Sequence, residues 1–158
     1  MSIDLYIHLT RPLALRPLLP KPGLVLADML DISPAPELTV DALEEGRREP
    51  VECDELYEGS SLLFLFSIVG EPETFGLSSV GQQVALEMGA QRTNLEFALG
   101  AAIAIALARE FGAGSIEDDW RFYGDDVRIS PEDLLQALEG CWSGIQLSRS
   151  RRASHGQD

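Results

Sequence analysis

Carboxylates are the most abundant side chains in this sequence that could carry out chemistry, and one short segment concentrates them. That segment surrounds Trp120 and contains Glu117, Asp118, Asp119, Asp125 and Asp126. A magnesium site needs only one or two carboxylates plus water, and carboxylate-based hydrolysis needs two groups whose pKa values differ. A small metal-dependent or carboxylate-based enzyme is therefore one of three functions that stay open, and its candidate residues are Asp118, Asp119, Asp125 and Asp126.

Nucleophilic catalysis lacks its usual base in this chain. A Ser-His-Asp or Cys-His site needs a histidine, and the two histidines are His8, on the polar side of an alternating segment, and His155, near the C-terminus. Residues 76–81 contain two serines but not the G-x-S-x-G spacing of a nucleophile elbow. Lys21 is the single lysine, and no glycine-rich phosphate loop occurs. We therefore expect no catalytic residues, no cofactor and no metal, and we predict that the protein is not an enzyme.

The cysteines and the apolar runs bear on the cellular compartment. Cys53 and Cys141 form no C-x-x-C pair, so neither a zinc site nor a thioredoxin-like motif is predicted. The first residues lack a basic stretch followed by an apolar one, as a signal peptide would have. The apolar runs at 62–69 and 97–108 are shorter than the roughly 20 residues of a membrane span. We expect a cytoplasmic protein with reduced thiols and no membrane contact.

The net charge is the most unusual feature of the composition. Twelve Lys and Arg face 26 Asp and Glu, which gives −14. Such a chain repels nucleic acid and anionic membranes, whereas it attracts basic proteins and accelerates their encounter. Solubility alone explains the charge equally well. Residues 37–58 hold nine acids and two bases, and residues 110–133 hold eight acids and two bases.

The spacing of apolar residues predicts several strands. Residues 3–9 and 83–88 alternate, which is typical of half-buried strands. Residues 62–69, LLFLFSIV, predict a central strand with both faces covered, and we expect it to pair with 83–88 through a long hairpin loop. Residues 116–123 predict an edge strand or an extended acidic segment. The four prolines within 11–23 predict an extended, irregular segment.

Clear local signals predict two helices, and two further segments of ambiguous type favour a short helix. The strongest pattern is at 93–111, where Thr93 and Glu96 have the spacing of a capping box, Ala and Leu fill the body, and Gly112 follows. Ser130 and Pro131 predict the start of a last helix, and short helices are expected at 24–32 and 39–46. Together these elements predict one α+β domain at 1–148, with an antiparallel sheet of about four strands and two or three helices mainly on one face. Residues 149–158 are expected to form a disordered, basic tail.

The acidic segment after position 116 also favours a protein contact surface. Aromatic residues supply contact area and carboxylates steer the encounter. Trp120 and Phe122 share one face of an alternating strand and are expected in the core, which leaves Tyr123 and the acids at the surface. The predicted partner-binding residues are Glu117, Asp118, Asp119, Tyr123, Asp125 and Asp126, with Glu44, Glu45, Asp54 and Glu55 from the first acidic region.

Residues 95–124, LEFALGAAIAIALAREFGAGSIEDDWRFYG, resemble a family of known function. An Ala-rich helix ending in Gly, a short strand with acids and then a capped helix is similar to the small bacterial immunity proteins found beside polymorphic toxins. The resemblance implies that the protein neutralises a cognate toxin, often a secreted basic nuclease, by covering its active site. It assigns no binding residue, because those proteins share none. The third open function is a scaffold whose nearly uncharged helix at 97–108 forms an oligomer interface.

Overall fold

The computed structural model describes residues 4–51, 56–57, 63–80, 82–119, 121, 123–124, 127–142, 145 and 147 of the 158-residue chain. Its strands are β1 Asp4–His8, β2 Leu13–Ala14, β3 Leu38–Glu44, β4 Arg47–Pro50, β5 Leu56–Tyr57, β6 Leu63–Ile68, β7 Thr74–Val80, β8 Gln83–Met88, β9 Ile116–Asp118 and β10 Arg128–Ile129. Its helices are α1 Leu15–Leu18, α2 Pro20–Leu30, α3 Asn94–Glu110 and α4 Pro131–Leu138. The fold is α+β, as predicted. The expected tail at 149–158 lies outside the described residues.

Eight of the strands form one antiparallel sheet in the order β10-β9-β1-β8-β7-β6-β3-β4, so the sheet is larger than the four strands expected. Strands β2 and β5 pair separately. The predicted pairing of 62–69 with 83–88 is wrong, because β7 lies between β6 and β8 and bonds to both. The expected edge strand at 116–123 is the shorter β9, which lies between β1 and β10.

The sheet buries one face, and the helices pack on it. The buried side chains of that inner face come from alternate positions, and they include Leu5, Ile7, Phe64, Phe66, Phe75, Leu77, Val84 and Leu86. Helix α3 packs against β1, β7, β8 and β9, and α2 and α4 pack against α3. Helix α3 is apolar on almost every side, which suits a helix covered by a sheet and by two other helices.

The burial of α3 is inconsistent with the oligomer interface that the scaffold hypothesis placed on residues 97–108. Apart from Gly100, which is also buried, every side chain from Ala98 to Ala108 is 2 % exposed or less within this single chain. A surface that is already covered by the sheet and by α2 and α4 cannot serve as an oligomer interface.

Two local predictions are wrong for reasons of backbone geometry. The expected helix at 39–46 is strand β3 followed by a tight turn, because Glu45 and Gly46 both adopt positive φ (50° and 78°). That conformation belongs to a two-residue hairpin turn, which joins β3 to β4. The expected irregular segment at 11–23 contains β2, α1 and the start of α2. Pro20 and Pro22 fit in the first turn of α2, where no N–H is needed.

Candidate functional site

The carboxylate of Asp118 lies inside the protein. Asp118 faces Leu5 across the β1–β9 pair, and it therefore points to the inner face. It is 2 % exposed, and its Oδ2 accepts a hydrogen bond of 2.8 Å from the backbone N–H of Tyr123. Its Oδ1 is buried and has no hydrogen-bond partner among the described residues. The expectation that Asp118 lies at the surface is wrong, because strand alternation directs it inward and the following loop supplies its donor.

Tyr123 is also buried, which corrects the expectation that it contacts a partner directly. It is 8 % exposed, and its hydroxyl donates a 2.8 Å hydrogen bond to the carbonyl oxygen of Phe97 in the first turn of α3. Burial raises the pKa of the Tyr123 hydroxyl well above its usual range, and the charge of Asp118 raises this pKa further. The hydrogen bonds of Asp118 and Tyr123 therefore hold residue 123 against β9 and the first turn of α3.

Tyr123 is expected to make the protein less stable in alkali. Its raised pKa means that the unfolded state releases the hydroxyl proton first, so stability is complete below about pH 10 and falls as the pH rises further. The wild type should lose up to about 1.4 kcal/mol per pH unit more than Tyr123→Phe above about pH 10. Urea unfolding of both proteins between about pH 8 and 11.5 measures the difference. Parallel pH profiles would contradict the buried, neutral hydroxyl.

Of the other predicted site residues, four are described by the structure and four are not. Glu117 is half-buried beside Tyr6 and forms a 2.9 Å ion pair with Arg128, and Asp119 is exposed. Glu44 and Glu45 are exposed at the β3–β4 turn. Asp54, Glu55, Asp125 and Asp126 lie outside the described residues.

The two acidic regions lie toward opposite edges of the sheet. Strands β9 and β3 are five strand spacings apart in the sheet order, which is about 24 Å along the sheet. Sequence reasoning left open whether these regions share one surface. Both regions belong to the same sheet, and the sheet face that the helices do not cover extends from one region to the other.

That opposite face, which we name the open face, consists of the outward residues of the central strands. They include Tyr6, Asp41, Leu43, Leu63, Leu65, Gly76, Ala85, Glu87 and Glu117, together with the polar residues Thr39, Ser67, Ser78 and Gln83 and, at the two edges of the sheet, Arg48 and Arg128. Leu43, Leu63 and Leu65 are half-buried, and Glu87 is exposed. The prediction that residues 62–69 are covered on both faces is therefore wrong, since these leucines remain partly in solvent. The three leucines form an apolar group on β3 and β6, and in one row across the sheet Asp41 and Glu87 lie on either side of Leu65 and Gly76.

A shallow depression lies within the apolar part of the open face. Its volume is about 310 Å³, and it is lined by Leu63, Leu65, Gly76, Glu87, Met88, Gly89 and Ala90. A second hollow lies on the helical side, between α2 and α4. Its volume is about 420 Å³, and its lining includes Asp28, Asp31 and Glu139. Neither hollow was predicted, because the first depends on β7, which was not recognised as a strand, and the second is formed by α2 and α4, which are distant in the chain.

Two further buried carboxylates lie at the N-terminus of α3, and sequence reasoning missed them as a pair. Glu96 is 0 % exposed, and its Oε1 and Oε2 accept hydrogen bonds from the backbone N–H groups of Arg92 (3.1 Å) and Thr74 (3.2 Å). Thr93 caps α3 by accepting from the Glu96 N–H, and its hydroxyl donates to Glu73 Oε1. The capping signal at Thr93 and Glu96 predicted the start of α3 correctly. In addition, the hydrogen bond from Thr74 to Glu96 connects the start of α3 to β7.

The part of the chain that the structure describes has neither a metal-binding cluster nor a membrane-spanning helix. No three His, Cys, Asp or Glu residues of that part are grouped so that they could hold a metal ion. None of its helices is long and apolar enough to cross a membrane. In comparisons with known proteins, no family model, no curated protein and no solved structure matches the chain.

Proposed function

We propose that this protein binds a basic protein across its open face and inhibits it by covering a functional surface, as an immunity protein does to a toxin. The observation that supports this proposal best is the composition of that face. Leu43, Leu63 and Leu65 form a half-buried apolar group on β3 and β6, and Asp41 and Glu87 flank it in one row across the sheet. Protein interfaces likewise combine apolar contact area with polar residues beside it.

Four acids in and around the open face can attract a partner, whereas Glu117 is already paired with Arg128. Glu87 on this face, Asp119 beyond β9, and Glu44 and Glu45 at the β3–β4 turn form no ion pair among the described residues. Unpaired surface carboxylates create a negative potential, which accelerates association with a positively charged protein. The apolar group on β3 and β6 would then contribute the burial that holds the complex together.

The size of the open face suits a protein partner. Eight strands span about 34 Å between the first and the last strand, and their mean length of five residues is about 17 Å. The resulting area of about 580 Å² exceeds the roughly 500 Å² per partner that a specific interface needs. A small molecule would not need a surface of this extent.

Affinity capture from the native host tests the proposal. The full chain, tagged at its N-terminus, is used as bait at about 50 mM salt and washed with about 500 mM salt, where surface charges are screened beyond a few ångströms. We expect a single basic protein that is retained at low salt and released at high salt. The helix-side variant Asp28→Asn/Glu139→Gln is the matched control, and it should capture the same protein. No basic protein enriched over bare resin would contradict the proposal.

A further inference from the structure

We propose that the depression at Gly76 on the open face receives one long cationic side chain, a lysine or an arginine, from the partner protein. This inference rests on the proposed function and specifies what the partner inserts. It comes from the shape of the depression, from the nature of its walls and from the position of one carboxylate.

The depression exists because residue 76 has no side chain. Gly76 lies in register between Leu65 of β6 and Glu87 of β8, so the floor of the depression is backbone and its walls are side chains. A Cβ at position 76 would lie 3.1 Å from Leu63 Cδ1. The volume of about 310 Å³ is at the lower limit of the roughly 300–1,000 Å³ of small-molecule sites. It suits one side chain better than a cofactor.

The walls select a side chain that is apolar along its length and charged at its end. Leu63 and Leu65 form an apolar wall, and Glu87 stands on the other side of Gly76. Lysine and arginine bury their methylene stems against apolar surface while the charged head reaches a polar partner. Glu87 is exposed and has no ion pair among the described residues, so it can accept a charge-assisted hydrogen bond from such a head.

The surrounding charge supports a cation and disfavours other occupants. Asp41 lies in the same row across the sheet, on the far side of Leu65 from Gly76. An acidic side chain would meet both carboxylates and the net charge of −14. A purely aliphatic side chain would fill the depression but would leave Glu87 without a partner. Charge complementarity therefore favours lysine or arginine as the side chain that occupies the depression.

Titration with small probes tests this inference without the partner. Backbone and methyl resonances of the full chain are followed by NMR during addition of n-butylguanidinium, with guanidinium and n-butanol as probes that lack the stem or the charge. We expect saturable shifts centred on Gly76, Leu63 and Leu65 with n-butylguanidinium, and weaker shifts with either control probe. Shifts spread over the whole acidic surface without saturation would overturn the inference.

Three variants sharpen the test. Gly76→Val fills the depression and suits a strand, so it should abolish the saturable shifts; Gly76→Ala is the smaller replacement if the valine variant does not fold. Glu87→Gln should weaken binding by about fivefold, the upper value for an exposed ion pair. Glu139→Gln, which makes the same charge change in the hollow between α2 and α4, should have no effect. Unchanged binding by the folded filled variant would overturn the inference.

The same variants separate this inference from the proposed function. If the wild type captures a basic partner and the folded Gly76→Val or Gly76→Ala protein captures it equally well, the depression is not used and the function stands. If the wild type captures no basic partner, the function fails, whatever the small probes show.

Discussion

Replacing Glu96 by alanine is expected to lower the free energy of unfolding by about 3 kcal/mol. The Glu96 carboxylate accepts hydrogen bonds from the backbone N–H groups of Thr74 and Arg92, and it thereby joins the start of α3 to the start of β7. Alanine would leave the buried Thr74 N–H unpaired, and a lost hydrogen bond to a charged group costs about 1.5–3 kcal/mol. Urea unfolding of the variant and the wild type measures the loss.

Asp133→Ala is the matched control for Glu96→Ala. Asp133 occupies the same third position of its helix, α4, that Glu96 occupies in α3, but Asp133 is exposed. Its removal sacrifices only the interaction of an acid with a helix N-terminus, which is about 0.3–1 kcal/mol. Equal losses for the two variants would show that Glu96 acts only through the helix end and that its bond to Thr74 adds nothing.

Alanine at Gly100 is expected to destabilise the protein by about 2 kcal/mol, the reverse of its usual effect. In an exposed helix, alanine is about 1 kcal/mol more favourable than glycine. At Gly100, however, a Cβ would lie within 2.8 Å of three ring atoms of Phe75, the nearest at 2.3 Å. Phe75 is fully buried in the sheet, so the ring cannot move without disturbing its neighbours, and overpacking of this kind costs about 1–3 kcal/mol.

A double-mutant cycle identifies the Phe75 ring as the cause. In a Phe75→Leu background the obstructing ring is absent, so Gly100→Ala should cost less than about 1 kcal/mol there. Purely additive effects would mean that helix α3 does not rest on Phe75. The cycle therefore also tests the packing of α3 on the sheet, which leaves the opposite face open.

Elements with strong local signals were predicted correctly from the sequence. Strand β8 follows the alternation at 83–88, and α3 begins after Thr93, whose hydroxyl satisfies a backbone donor of the first turn. Strand β7 was missed because Gly76 and the serines that follow it obscure the alternation of Phe75 and Leu77. Its strand character comes from bonding to β6 and β8, and a local pattern does not contain that information.

The candidate site was predicted only in part. Composition correctly indicated exposed acids at Glu44, Glu45 and Asp119. Asp118 and Tyr123 were placed at the surface because charged and polar groups usually lie there, whereas a backbone donor in the loop after β9 allows Asp118 to be buried. The open face was missed because nearly every residue in the run 62–69 is apolar. A strand covered on both sides has the same pattern.

The affinity of two double variants for the captured partner tests the central claim most directly. Asp41→Asn/Glu87→Gln removes two charges from the open face, and Asp28→Asn/Glu139→Gln removes two from the hollow between α2 and α4. Calorimetry at about 50 mM salt should show about tenfold weaker binding for the first variant and less than a twofold change for the second. The reverse order, with the helix-side variant weakened and the open-face variant unchanged, would contradict docking on the open face.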